Sequence, residues 1–147
     1  MSDIPEPSNM AIEKLTSRNL KRVYNVMHVG ANRLFKNTEI TVAQFDLMET
    51  ILLSKNQSLT IQDLASRTVC LQPNITRMVA ELEIAGLVER SSGADRRIVI
   101  VKLTPKGIEQ VEKMQKPLFE YHVSQYKNLT REELYSLNDI LEKLSLP

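Results

Sequence analysis

Asp63-Leu64-Ala65-Ser66-Arg67-Thr68-Val69-Cys70, followed after one residue by Gln72-Pro73-Asn74-Ile75-Thr76-Arg77-Met78-Val79-Ala80-Glu81-Leu82-Glu83-Ile84-Ala85-Gly86, reads as a short helix, a turn and a longer helix. The small Ala65 lets the two helices approach closely, and Gly86 suits the left-handed backbone that ends the second. On that second helix Ile75, Val79 and Leu82 recur at helical spacing and should face a core. This leaves Gln72, Asn74, Thr76 and Arg77 on or beside the exposed face. The chain then runs through 87–90, the turn-forming Ser91-Ser92-Gly93-Ala94 and the β-branched Ile98-Val99-Ile100-Val101. That is a hairpin signal, since β-branched side chains suit a pleated, half-buried surface, and it is the one stretch that reads as sheet.

Thr41, Thr60, Thr104 and Thr130 each stand where a helix should begin. A threonine oxygen there accepts from an orphan N–H, and Gln44 or Glu133 can reach back to the cap's own N–H to complete a capping box. Asp63 offers a weaker version, and Pro105 takes the first helical position, where its missing donor is harmless. An apolar residue precedes each cap and can staple to the next turn: Ile40 with Phe45, Leu59 with Leu64, Leu103 with Ile108, Leu129 with Leu134. From these starts helices are expected at about 10–37, 41–54, 60–67, 72–85, 104–127 and 130–145, with Pro117 kinking the fifth.

The expected fold class is therefore mainly α with a small β-hairpin wing, a winged helix-turn-helix. The expected division is 1–37 as an N-terminal dimerisation helix, 38–104 as the DNA-binding domain and 105–147 as C-terminal dimerisation helices. Leu15, Leu20, Val23, Tyr24, Met27 and Leu34 on the first helix, and Val111, Met114, Leu118, Tyr121, Leu137, Ile140, Leu141 and Leu144 on the last two, exceed what a small middle unit can cover. Pairing with a second copy would bury them; a monomeric antiparallel bundle is the alternative.

The 147 residues suffice for one core or for a small core plus dimer helices, not for two enzymatic domains. A net charge of +1 carries no global nucleic-acid signature, but residues 55–106 hold eight basic and five acidic residues, while the remainder to the C-terminus is acidic by two. The single Cys70 rules out an internal disulfide framework and fits a reducing compartment. There is no apolar run of about 18 residues and no basic-then-apolar start, so a cytoplasmic protein without membrane contact is expected. His28, His122 and Cys70 are scattered without ligand spacing, so no metal or other cofactor is expected. No phosphate loop, nucleophile elbow or paired catalytic motif occurs, so the chain does not read as an enzyme.

The chemistry of the second helix suits a major groove. Asn and Gln pair with adenine, Arg pairs with guanine, and threonine offers a methyl to thymine and a hydroxyl to phosphate. Asp95-Arg96-Arg97 after the flexible Ser-Ser-Gly-Ala tip places two guanidinium groups on a thin finger that fits a minor groove. Asp95 would oppose phosphate unless it orients one arginine, so it takes a wing-orienting role. Solvated surface residues, or a winged helix that docks another protein, are the alternatives.

The runs Gln62-Asp63-Leu64-Ala65, 75–90 with its Gly86-Leu87-Val88-Glu89-Arg90 end, Asp95-Arg96-Arg97 and Val101-Lys102-Leu103-Thr104-Pro105-Lys106-Gly107 resemble the multiple antibiotic resistance regulator (MarR) family. The resemblance implies a triangular homodimer on palindromic double-stranded promoter DNA, usually a repressor, released by small ligands or oxidants. It puts the wing arginine, here Arg97, in the minor groove and the start of the recognition helix, here 72–77, in the major groove. The DNA-contact candidates are Gln72, Pro73, Asn74, Thr76, Arg77, Arg90, Arg96 and Arg97. Gln72-Pro73-Asn74 stands where the family pattern often has small hydroxyl residues, which bears on the bases read rather than on the binding mode. Family ligands, often phenolic or aromatic carboxylate compounds, sit between the dimer helices and the DNA-binding unit, where Tyr24, His28, Asn32, Phe45 and Met48 are the candidates. An anchor for a ligand carboxylate would come from Arg18, Arg22 or Arg33. Cys70, in the turn, is expected to be buried, because a reactive thiolate needs exposure and nearby positive charge.

Overall fold

A computed structural model describes residues 11–68 and 72–145. Its elements are α1 (Ile12–Leu34), α2 (Val42–Leu52), a 3-10 turn (Lys55–Gln57), β1 (Ser58–Thr60), α3 (Ile61–Arg67), α4 (Gln72–Ile84), β2 (Val88–Ser92), β3 (Val99–Leu103), α5 (Pro105–Gln125) and α6 (Arg131–Ser145). This is a mainly α fold with a small β wing. No helix among the described residues is long and apolar enough to cross a membrane.

The caps lie where the threonines stand. Thr41 accepts from the Gln44 N–H at 3.2 Å, and the Gln44 side chain accepts from the Thr41 N–H at 3.0 Å. Thr130 and Glu133 make the same reciprocal pair at 3.1 and 2.8 Å. Thr60 accepts from Asp63 N–H and Thr104 from Gly107 N–H. At the other end of α4, Gly86 has φ 74°, the Leu87 N–H donates to Leu82 O at 2.9 Å and the Gly86 N–H to Glu83 O at 3.0 Å. This double closure satisfies two orphan carbonyls and turns the chain directly into β2.

The sheet has one strand more than the sequence suggested. Ser58–Thr60 pairs antiparallel with β3, giving the order β1-β3-β2 with Leu59 opposite Val101. Three residues are too few to display an alternating pattern, and what holds them is the β3 edge and burial of Leu59. Positive φ at Asn56 and Gln57 turns the chain into this strand. The helix α1 ends at Leu34 rather than near 37, and α5 runs unbroken through Pro117.

One core joins Phe35, Phe45, Leu47, Met48, Ile51, Leu64, Ile75, Val79, Leu82, Leu87, Val101 and the first half of α5. Val111, Met114 and Leu118 of α5 are buried in it, which corrects the expectation that the middle unit leaves them uncovered. By contrast α6 contains no buried residue, and within α1 only Ala31 is buried. Ile12, Val23, Val26, Phe119, Val123, Ile140 and Leu144 are all exposed.

Candidate nucleic-acid interface and cavity

The helix α4 buries Ile75, Met78, Val79 and Leu82, one more core residue than the spacing identified. That stripe fixes its roll, so Asn74, Thr76 and Arg77 are exposed on its N-terminal half. Gln72 and Pro73 belong to the first turn of α4. The segment 69–71, with Cys70, lies outside the described residues.

The wing is the β2–β3 hairpin, paired from Val88 opposite Leu103 to Ser92 opposite Val99. Its tip closes through Gly93 N–H to Ile98 O at 2.8 Å and Ile98 N–H to Asp95 O at 2.9 Å. The Asp95 carboxylate accepts from the Arg97 N–H at 3.0 Å and stands 3.5 Å from Arg97 Nε. Asp95 therefore restrains the backbone that carries Arg97, while the Arg97 side chain stays 91% exposed. Arg96 is exposed beside it.

Arg90 is placed differently from the other candidate arginines. Its guanidinium forks onto Glu83 through Nε at 3.1 Å and Nη2 at 2.9 Å, and its own N–H donates to the same carboxylate at 3.2 Å. The fork holds the Glu83 carboxyl below the usual glutamate range and pushes the Arg90 guanidinium higher still. Both partners lie within the quoted 75–90 run, but nothing in residue type alone says that the acid seven residues back meets the strand.

A cavity of about 570 Å³ opens between α1, α2, α4, the end of α3 and α5. Tyr24 and His28 line it with rings stacked at 5.4 Å. Asn32 is exposed away from it, while Phe45 and Met48 are 1% and 0% exposed in the core; of the five ligand candidates, only Tyr24 and His28 reach the wall. The reason is the roll of α2, which gives Phe45, Met48 and Ile51 to the core and turns Asp46, Glu49 and Thr50 to the cavity. Sequence reasoning missed these, together with Arg67 and His122. The cationic wall residue is Arg67 of α3; Arg22 donates to Asn19, and Arg33 lines a second hollow against Tyr121. Desolvation, and then the neighbouring Glu49, raises the Asp46 carboxyl above its ordinary value, although His122 opposes this. No group of three or more His, Cys, Asp or Glu able to hold a metal occurs among the described residues.

Residues 40–99 match the family model described as MarR family. The chain is 33% identical over 113 residues to the HTH-type transcriptional regulator FarR of Neisseria gonorrhoeae, covering 76% of each chain. Its fold superimposes on a mutant MarR from E. coli complexed with operator DNA with TM-score 0.78 at 28% identity, over 88% of this chain and 93% of that one. It also superimposes on Bordetella bronchiseptica BpsR, a protein described by the regulation of its DNA binding by 6-hydroxynicotinic acid, with TM-score 0.81 at 25% identity, over 98% and 99% of the two chains.

Proposed function

The chain belongs to the MarR family and is a sequence-specific DNA-binding regulator, not an enzyme; from that premise we propose that it is a homodimeric, ligand-responsive repressor of palindromic promoters. The observation that carries this reading is the division of exposure. Polar ends, Asn74, Thr76 and Arg77 on α4 and Arg96 and Arg97 on the wing, face outward from an apolar core, while much of the apolar surface of α1 and α6 is left exposed by the described residues. The first set suits base edges and phosphates, with Gln72 and Pro73 opening the same helix and Asp95 steadying the wing. The second suits a copy of itself, with 1–37 and 105–147 supplying the pairing helices around 38–104.

Ligand response is supported by the cavity, which lies where α1 and α5 meet the helices that carry α4, so that filling it would bias their separation. A second support is the similarity to BpsR, whose DNA binding is regulated by 6-hydroxynicotinic acid. For this chain a phenolic or aromatic ligand would meet Tyr24 and His28, with Arg67 as the cation available to it.

Duplexes recovered from a randomised pool should share a near-palindrome with half-sites about 10–10.5 base pairs apart. Arg97→Ala should weaken binding to that duplex by about 1–3 kcal/mol, while sedimentation shows a dimer for both proteins. A stable monomer with no duplex preference at low ionic strength would overturn the proposal.

A further inference from the structure

The wing's base is an edge strand. In the order β1-β3-β2, one side of β2 faces no strand, so its outward N–H groups have no ladder partner among the described residues. Glu83 of α4 supplies one. A single carboxylate receives the Arg90 N–H at 3.2 Å and both arms of the Arg90 guanidinium at 3.1 and 2.9 Å. The recognition helix thus grips the wing through backbone and side chain together, a geometry that resists rotation as well as separation.

Other polar contacts fix the same half of α4. Gln44 of α2 donates to Glu81 at 3.2 Å, and Lys106 of α5 donates to Ala85 O at 3.2 Å. Neither of these reaches the wing. Arg97 lies beyond the hydrogen-bonded strand, at the end of an arm that extends about 3.3 Å per residue from Arg90. Arg90 stands opposite Val101, four residues from Arg97 along the hairpin, and over that span a tilt of about 10° displaces the tip by roughly 2 Å, enough to lose a hydrogen bond.

We propose that Glu83 is a positioning residue that sets the angle between the recognition helix and the wing by clamping Arg90, and that Arg90 belongs to this clamp rather than to the phosphate contacts. The proposal rests on the DNA-binding reading above, and extends it by assigning an acidic residue a favourable part in binding polyanionic DNA. Side-chain exposures of 38% for Arg90 and 37% for Glu83 mean that changing them leaves the core intact.

The test compares wild type, Glu83→Gln, Arg90→Gln and the double variant on a duplex recovered by the wild-type chain from a randomised pool, across a salt series. A clamp predicts that each single variant binds about tenfold more weakly and that the double variant is no worse, because the two lose one shared interaction. The slope of log affinity against log salt should be the same for all four. Tighter or unchanged binding by Glu83→Gln overturns the proposal, since removing a negative charge that is merely close to DNA favours association. A salt slope reduced by about one in Arg90→Gln also overturns it, because that is the mark of a lost phosphate contact.

Amide exchange in the DNA-free protein separates this inference from the reading beneath it. Glu83→Ala should accelerate exchange at the Arg90 N–H, and unchanged exchange there would overturn the clamp whatever the DNA result. If wild type selects no duplex while exchange responds as expected, the DNA-binding reading fails and the clamp stands.

Discussion

The middle of the chain and its terminal helices carry the same kind of sequence signal and resolve it in opposite ways. In α2, Phe45, Leu47, Met48 and Ile51 are each 1% exposed or less, in an element packed against α3, α5, β1 and β3. In α6, Leu137, Ile140, Leu141 and Leu144 recur with comparable regularity, yet none is buried. An apolar stripe therefore reports that a face must be covered, not by what. The middle unit, closed by Phe35 and by Val111, Met114 and Leu118 of α5, presents polar residues outward with a defined roll, whereas the apolar residues of α6 stay uncovered among the described residues.

The largest expected contrast comes from truncating one residue in each region. Ile51→Ala should lower unfolding stability by about 2–5 kcal/mol, because a side chain with no exposure leaves a cavity behind it. Ile140→Ala, at a site 61% exposed, should leave single-chain stability within about 0.5 kcal/mol but weaken self-association. Urea midpoints at two protein concentrations distinguish them, and an equal, concentration-independent loss for both would erase the contrast.

A smaller effect separates the two close glycines. A Cβ on Gly107 would strike the Leu87 carbonyl, which is backbone leading into the wing, whereas one on Gly30 would strike the Tyr121 hydroxyl, which is the end of a side chain. Gly107→Ala should destabilise by about 1–3 kcal/mol. Gly30→Ala should lower thermal stability less but alter the α1–α5 junction, since Tyr121 donates to Met27 O at 2.9 Å. A larger thermal shift for Gly30→Ala would reverse this order.

The finest distinction is in acid titration. Glu83, held below the ordinary glutamate value of 4.5 by Arg90, contributes stability that is full above that value and is lost as pH falls through its lowered pKa. Asp46 has the opposite sign. Burial raises its carboxyl above the ordinary aspartate value of 3.8, so its ionised form opposes folding at neutral pH and protonation relieves this as pH falls. Glu83→Gln should flatten the acid limb of a stability profile and Asp46→Asn should steepen it; the same change in both would contradict the assigned environments.

Much of this was legible because it is local. A threonine cap is a contact among residues three apart, the Gly86 closure spans a single turn of helix, and the α4 stripe needs only the period of a helix. The candidate site was legible to the same extent: Asn74, Thr76 and Arg77 follow from that stripe, and Asp95 from its neighbour Arg97. The cavity was not, because the roll of α2 depends on what it packs against, and Phe45 looks like a ligand wall until Phe35 covers it at 5.5 Å.

Chain order and periodicity by themselves determined a helix-turn-helix with a basic hairpin, flanked by helices with more apolar surface than the centre can hide. Only the tertiary structure decided that 58–60 is a strand, that α5 begins inside the core, and that Arg90 is forked onto Glu83 rather than projecting into solvent as the Arg97 side chain does. The physical reason is that side-chain type and spacing set which groups need partners, while the partner's identity depends on the meeting of segments distant in sequence, whose distances and angles appear only once the chain has packed.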